Sequence, residues 1–64
     1  RNVDLAGRII LNADDKEIFN FGKYKGQLVT EVLRRDPGYF SWILQGDFPQ
    51  NTKNVLINIK LRMK

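Results

Sequence analysis

The feature that most limits the fold of this chain is its short length without any cysteine. It has 64 residues and no cysteine, so neither a disulfide framework nor a thiolate metal site can reinforce it. A chain of this size buries only about 60% of the surface that its unfolded form exposes, which leaves a thin core. The hydrophobic content of 42% is still that of a globular domain rather than of a disordered tail. The sequence therefore predicts one small domain.

Composition excludes several classes of function. Histidine is absent, which removes the most common general base and any serine–histidine pair. Uninterrupted apolar runs reach three residues, as in Ile9–Leu11, far short of a membrane span or a signal peptide. We expect no membrane partner. A reducing, cytoplasmic location is expected, since it is compatible with the missing cysteines.

The net charge of +4 is carried entirely by the second half of the chain. Residues 1–31 hold five basic and five acidic side chains, whereas residues 32–64 hold six basic and two acidic ones. Two interpretations are open: a surface for a polyanionic partner, or cations that complement the negative ends of helices. On charge alone we favour the second, because +4 is modest for a nucleic-acid-binding protein.

The first part of the chain is patterned as a β-hairpin. Arg8–Asn12 and Glu17–Phe21 are rich in branched and aromatic residues, which favours strands. The segment that joins them reads Asn-Ala-Asp-Asp-Lys and is typical of a tight turn. Two strands alone are marginal in water, so we expect helices to cover one face. Residues 1–7 are interpreted as a connection from an upstream region, and residues 8–64 as a single small C-terminal domain.

Two short helices are predicted next. Val29–Arg35 carries apolar residues at helical spacing. Asp36-Pro37 divides it from a second helix, for which Asp36 is the predicted N-cap and Gly46 the predicted left-handed C-cap. The inward face of the second helix is predicted to be Tyr39, Phe40, Ile43 and Leu44. Trp42 lies beside that arc, and we expect it in the core because a thin core needs its largest side chain.

The last segment, Gln50–Arg62, has an ambiguous period. Alternate residues from Val55 to Met63 are apolar, as in a strand. A helical wheel, however, places Val55, Leu56, Ile59 and Met63 in one arc, and the length of the segment and Pro49 before it favour a helix. That helix aligns Lys53, Lys60 and Lys64 on another face, with Ile57 and Leu61 beside them. The predicted fold class is α+β: an N-terminal two-stranded β-hairpin packed against about three helices.

One pair of acidic residues has the spacing of a catalytic metal site. Asp15-x-Glu17 matches the Asp-x-Glu that opens many two-metal nucleases, in which several carboxylates converge on the ions. Here the pair lies in a predicted hairpin turn, where aspartate is common, and no histidine accompanies it. We therefore interpret it as a solvated turn, and expect no catalytic residue and no metal ligand in this chain.

The segment Gly22–Gly26, Gly-Lys-Tyr-Lys-Gly, is the best candidate for a contact surface. Two lysines flank an aromatic residue, and the glycines let the backbone approach a ligand closely. Cations beside a stacking ring are how proteins hold single-stranded nucleic acid without reading its sequence. The alternative is a plain connector in which Tyr24 packs on the core. At the start of the last helix, Thr52 and Lys53 could contact a phosphate through free amides and their side chains.

Motifs along most of the chain resemble a known family. They are Phe-Asn-Phe-Gly-Lys-Tyr-Lys-Gly at 19–26, Glu-Val-Leu at 31–33, Asp-Pro-Gly-Tyr at 36–39, Trp42, Gly-Asp-Phe-Pro at 46–49 and Thr-Lys at 52–53. Together they resemble the small C-terminal domain of bacterial DnaQ-like 3′–5′ exonucleases of the exodeoxyribonuclease X type, often labelled DNA polymerase III epsilon subunit. In that family the nuclease domain lies upstream and carries the acidic metal ligands.

The resemblance implies a non-catalytic accessory module on an enzyme of DNA replication or repair. It implies no cofactor here, with the divalent metal expected only in the upstream nuclease domain, and DNA, single-stranded, as the partner. The candidate DNA contacts are Lys23, Tyr24, Lys25, Gly26, Thr52, Lys53 and Lys60. The alternative function is protein docking through Ile57 and Leu61, apolar residues off the core arc. Its partner would be a polymerase subunit, a second copy of the chain or its own nuclease domain.

Overall fold

The computed structural model of the chain describes residues 1–63. A β-hairpin, of strands β1 (Ile9–Leu11) and β2 (Glu17–Phe19), is followed by a short 3-10 turn at Gly22–Tyr24. Three helices follow in the described part of the chain: α1 (Val29–Arg35), α2 (Pro37–Gln45) and α3 (Gln50–Arg62). The predicted α+β fold, a hairpin packed against three helices, is confirmed.

The hairpin is antiparallel, with Ile9 opposite Phe19 and Leu11 opposite Glu17. Its turn forms because the Asn12 side chain accepts hydrogen bonds from the backbone amides of Asp14 (2.9 Å) and Lys16 (3.0 Å). Asp15 completes the turn in the left-handed region, at φ 58°, which aspartate tolerates better than most residues. The strands are shorter than predicted because pairing stops before Phe21, and Gly22 then turns the chain at φ 67°.

The core lies between the hairpin and the three helices. Within residues 1–63, nine hydrophobic residues are buried: Ile9, Phe19, Val29, Val32, Leu33, Tyr39, Ile43, Leu56 and Ile59. Every helix contributes to this set at the spacing of one helical face, as the sequence predicts. Of the predicted inward face of α2, Tyr39 and Ile43 are buried, while Phe40 and Leu44 are half-buried.

Residues 1–7 pair with the hairpin and with α3. The backbone amide of Val3 donates to Ile9 (2.8 Å), and that of Leu11 donates to Arg1 (2.8 Å). Asp4 is buried, and its carboxylate accepts hydrogen bonds from the Ile9 amide (3.1 Å) and from the Thr52 hydroxyl. The division at residues 7 and 8 stays a prediction, but the segment before it contributes a buried polar contact that the sequence did not indicate.

The ends of α2 differ from the two predicted caps. The Asp36 side chain makes no capping hydrogen bond within the described part of the chain; its carboxylate accepts a hydrogen bond from the Tyr24 hydroxyl instead. Gly46 is extended (φ −84°, ψ 176°), so the predicted left-handed cap is wrong. The position needs a glycine for space, because a Cβ there would lie 2.9 Å from Phe48 Cε2 and 3.0 Å from the Trp42 carbonyl oxygen.

The helical interpretation of the last segment is confirmed over its whole predicted range. Leu56 and Ile59 are buried and Val55 and Met63 are half-buried, which is the predicted arc. At 13 residues α3 is the longest helix, whereas a bilayer requires about 20 apolar residues in one helix. Within residues 1–63, therefore, no helix has the length and apolar character to cross a membrane.

Candidate functional site

A groove of about 720 Å³ opens between the 3-10 turn, α2 and the turn that follows α2. Four aromatic residues line it: Phe21, Tyr39, Trp42 and Phe48. Three charged residues, Arg8, Lys23 and Asp36, and two glycines, Gly22 and Gly38, complete the lining. We call this surface the aromatic groove. Its volume falls within the range of about 300–1,000 Å³ that is typical of small-molecule sites.

Trp42 forms the exposed wall of the aromatic groove. Its ring stacks on Tyr39 with centroids 5.4 Å apart and an interplanar angle of 21°, and it meets Phe48 edge-on at 5.6 Å. The side chain is nevertheless 57% exposed. The prediction that Trp42 belongs to the core is wrong, because the next residue, Ile43, takes the inward position on α2. Trp42 therefore presents a large aromatic surface to solvent, and its contacts with Tyr39 and Phe48 keep the ring in place.

Two cations border these rings. The Arg8 guanidinium carbon lies 5.4 Å from the centroids of both Phe21 and Phe48. The Lys23 ammonium lies 5.2 Å from the Tyr24 ring and 5.9 Å from the Tyr39 ring. Attraction to the ring faces holds both cations near the groove. Arg8 also keeps a buried Nε–H that makes no hydrogen bond to any residue in the range 1–63.

Asp36 is the one acidic residue among those that line the groove, and it raises the pKa of two tyrosines. Its carboxylate accepts a hydrogen bond from the Tyr24 hydroxyl at 2.7 Å. That bond raises the pKa of Tyr24 above 10.0, because it favours the protonated phenol. Burial, with a smaller contribution from Asp36, raises the pKa of Tyr39 in the same direction. Both phenols therefore stay neutral at physiological pH, and Tyr24 remains a hydrogen-bond donor to Asp36.

The predicted contact residues in the Gly22–Gly26 segment are partly available to a ligand. Lys23, Lys25 and Gly26 are exposed, and Gly26 adopts φ 86° with open space where a Cβ would project. Tyr24 is half-buried and packs edge-on against Tyr39 at 4.8 Å. Its ring thus supports the groove rather than offering a free stacking face.

The predicted contact residues on α3 do not line the aromatic groove. Lys60 is exposed, with its ammonium 5.6 Å from the Phe40 ring, and Lys53 is half-buried. The structure corrects the prediction that Thr52 contacts a phosphate. The Thr52 side chain is fully buried, and its hydroxyl donates a hydrogen bond to Asp4 in the interior, so it cannot reach a phosphate. The docking candidates differ from each other, since Ile57 is half-buried whereas Leu61 is 77% exposed.

The Asp-x-Glu pair lies at the far end of the hairpin from the aromatic groove. Asp15 pairs with Arg1 at 3.8 Å, and Glu17 pairs with Arg62 at 2.8 Å. Over residues 1–63, no group of three or more acidic, histidine or cysteine side chains is placed to share a metal ion. The two carboxylates are accounted for by surface ion pairs in and beside the turn.

Seven residues that line the groove were not identified as functional from the sequence: Arg8, Phe21, Asp36, Gly38, Tyr39, Trp42 and Phe48. Arg8 and Phe48 are 40 positions apart, and no local pattern brings such residues together. One signal was present for Trp42. It lies about 60° from Tyr39 on a helical wheel, outside the arc that Tyr39 and Ile43 define.

Comparison with known proteins supports the resemblance. Residues 19–46 match the family model described as Exodeoxyribonuclease X-like C-terminal. Two Escherichia coli proteins named Exodeoxyribonuclease 10, one from strain K12 and one from an O6:H1 strain, are each 56% identical to this chain over 25 residues. That alignment covers 39% of this chain and 11% of each relative. No solved structure matches the chain. The predicted resemblance to an exodeoxyribonuclease X-type C-terminal domain is confirmed, and most of the aromatic groove lies within the matched residues.

Proposed function

We propose that this chain, a small exodeoxyribonuclease X-like C-terminal domain, contacts single-stranded DNA on behalf of a parent 3′–5′ exodeoxyribonuclease. In this proposal the catalytic residues and the divalent metal belong to an upstream nuclease domain. The module contributes affinity for the strand. It acts in the replication or repair setting of the parent enzyme, and requires no cofactor of its own.

The observation that carries the proposal is the union of exposed cations and an exposed aromatic ring at one place. Lys23 and Lys25 lie in the exposed loop that borders the aromatic groove. Trp42 is 57% exposed on the neighbouring helix. A backbone-tracking cation beside a stacking surface is the combination that single-strand-binding proteins use. The matched segment 19–46 contains all three residues, so the proposal rests on the part of the chain with known relatives.

In this proposal, further cations outside the aromatic groove also contact the strand. Arg35, at the end of α1, hydrogen-bonds Gln27 just after the loop. Lys60 lies on the Phe40 side of α2, and Lys53 occupies the first turns of α3. Phosphate contacts from such residues position a strand without reading its sequence. Each neutralised phosphate of a single strand adds about 0.7 to the dependence of log K on log salt.

A salt titration tests the proposal. The 64-residue chain is mixed with a fluorescently labelled oligothymidylate, and binding is followed by anisotropy at several salt concentrations. With Lys23, Lys25, Lys53 and Lys60 on phosphates, we expect a slope of about −3. Affinity weaker than about millimolar at low salt, or affinity indifferent to salt, would contradict the proposal.

Matched lysine variants distinguish binding at this surface from non-specific attraction between the positively charged chain and DNA. Lys25→Ala should lower the magnitude of the slope by about 0.7. Lys16→Ala removes the same charge from the hairpin turn, at the opposite end of β2 from the loop. The Lys16 variant should therefore keep the parental slope; equal losses from both variants would indicate non-specific attraction.

Protein docking is the second candidate, and the exposure of Leu61 favours it. Leu61 is 77% exposed on α3, and an apolar side chain so placed can anchor a partner. The partner would be a polymerase subunit, the upstream nuclease domain or a second copy. Leu61→Glu should abolish an association measured by sedimentation while leaving the far-ultraviolet circular dichroism unchanged. Ile57→Glu is a poorer test because Ile57 is half-buried.

A further inference from the structure

We propose that the aromatic groove holds one unstacked nucleotide, its base against Trp42 and its phosphate between Arg8 and Lys23. The inference deepens the proposed function and rests on it, since it assigns to one site the recognition of a base as well as of the backbone. Thymidine 5′-monophosphate and one residue of a single strand share this chemistry. The tryptophan emission titration described below distinguishes a free mononucleotide from a nucleotide within a strand.

The rings in the groove are arranged to receive a base. Tyr39 stacks on Trp42 at 5.4 Å and 21°, and Phe48 supports it edge-on at 5.6 Å. These contacts fix the indole while leaving the side chain 57% exposed. A fixed, exposed ring accepts any base because every base has a π-face. Loss of one such stacking partner weakens single-strand binding by about tenfold to a hundredfold.

The cations in the groove suit a phosphate. Arg8 lies over both Phe21 and Phe48, with its guanidinium carbon 5.4 Å from each ring centroid. Its Nε–H is buried and makes no hydrogen bond to the rest of residues 1–63, so this donor is unmatched within the described residues. A planar guanidinium can donate two parallel hydrogen bonds to phosphate oxygens. Lys23 adds a second positive charge from the loop.

Asp36 and the glycines constrain how a nucleotide is oriented. The Asp36 carboxylate lines the groove and accepts the Tyr24 hydroxyl at 2.7 Å. Its negative charge repels a phosphate, so within the groove the phosphate is expected nearest Arg8, and the base donors near Asp36. Gly22 and Gly38 add no side chain to the lining. At Gly22 a Cβ would lie 3.4 Å from the Tyr39 hydroxyl oxygen.

The single tryptophan of the chain reports on the groove directly. The chain is titrated with oligothymidylate, with thymidine 5′-monophosphate and with an abasic strand of equal length, while tryptophan emission is recorded. We expect quenching by oligothymidylate and little quenching by the abasic strand. Quenching by the monophosphate alone would assign the site to a free nucleotide; it would support the groove and overturn the proposed strand-binding function.

Variants test the two halves of the site by anisotropy with labelled oligothymidylate. Trp42→Leu should weaken binding about tenfold or more, whereas Trp42→Phe, which keeps a ring, should lose less. Arg8→Gln should weaken binding and reduce its salt dependence. Leu61→Ala, on an exposed apolar residue outside the groove, is the matched control and should bind as the parent does.

The outcomes separate the inference from the proposed function. Salt-dependent strand binding with unchanged Trp42 emission and an undiminished Trp42→Leu affinity would overturn the inference and leave the proposed function standing. Absence of binding by strand and monophosphate alike would overturn both. If Trp42→Leu fails to fold by circular dichroism, the emission titration of the parent chain and the Trp42→Phe variant still decide the matter.

Discussion

The buried pair of Asp4 and Thr52 provides a sharp test of how residues 1–7 are joined to the domain. The Asp4 carboxylate is 2% exposed and accepts the Thr52 hydroxyl, which is itself fully buried. The two residues are 48 positions apart, so their contact ties the first residues to α3. Thr52→Val keeps the shape and the β-branch of the side chain but removes the donor.

The expected loss follows from the chemistry of the contact. A hydrogen bond to a charged group contributes about 1.5–3 kcal/mol, and a buried acceptor left without its donor costs a similar amount. A domain of this size is stable by only about 3–10 kcal/mol. Thr52→Val should therefore lower the free energy of unfolding by about 2 kcal/mol and the melting temperature by roughly 10 °C. Thr52→Ser retains the donor and should lose about 1 kcal/mol, through its missing methyl group.

Urea denaturation followed by circular dichroism measures both variants. With a slope of about 1 kcal/mol per molar urea, the midpoint of Thr52→Val should fall by about 2 M. A Thr52→Val midpoint equal to that of the parent, or below that of Thr52→Ser by less than the error, would refute this reasoning. It would mean that the contact with residues 1–7 adds nothing to the stability of the domain.

Three further predictions concern packing, pH and the outer face of α3. Gly46→Ala places a methyl group 2.9 Å from the Phe48 ring and should cost about 1–3 kcal/mol, measured by urea denaturation. The hydrogen bond to Asp36 raises the pKa of Tyr24 in the fold. The stability that this bond contributes is therefore present below about pH 10 and declines as pH rises further. Tyr24→Phe should flatten that decline in denaturation series from pH 8 to pH 11. Leu61→Ala should change stability by less than about 0.5 kcal/mol, and a larger loss in thermal melts would show that Leu61 is packed.

Much of the fold could be predicted because its periodic patterns are local. The branched and aromatic strands of the hairpin, its turn residues and the apolar arcs of the helices are each read from neighbouring residues, and the structure confirms the hairpin and the helices. The length of 50–62 and the proline before it decided between helix and strand for an ambiguous pattern. The caps of α2 were harder to predict. The Asp36 carboxylate binds the Tyr24 hydroxyl instead of capping the helix, and Gly46 is required by the close approach of Phe48 rather than by a left-handed backbone.

The candidate site could be predicted only in part. The loop lysines follow from residue types that lie side by side, whereas Arg8 reaches the groove through contacts with Phe21 and Phe48. Burial of Trp42 was the natural expectation for a thin core. The core was already filled by Ile43 and its neighbours, and only the assembled packing shows that no room remained for the indole.

If the loop and the aromatic groove together form the surface that meets DNA, both should respond when a strand binds. Amide shift mapping of the 64-residue chain during titration with a short oligothymidylate tests this expectation most directly. We expect the shifts to concentrate at Gly22–Gly26 and at the indole N–H of Trp42. Shifts confined to the α3 surface around Leu61, or an unchanged spectrum at low salt, would contradict it.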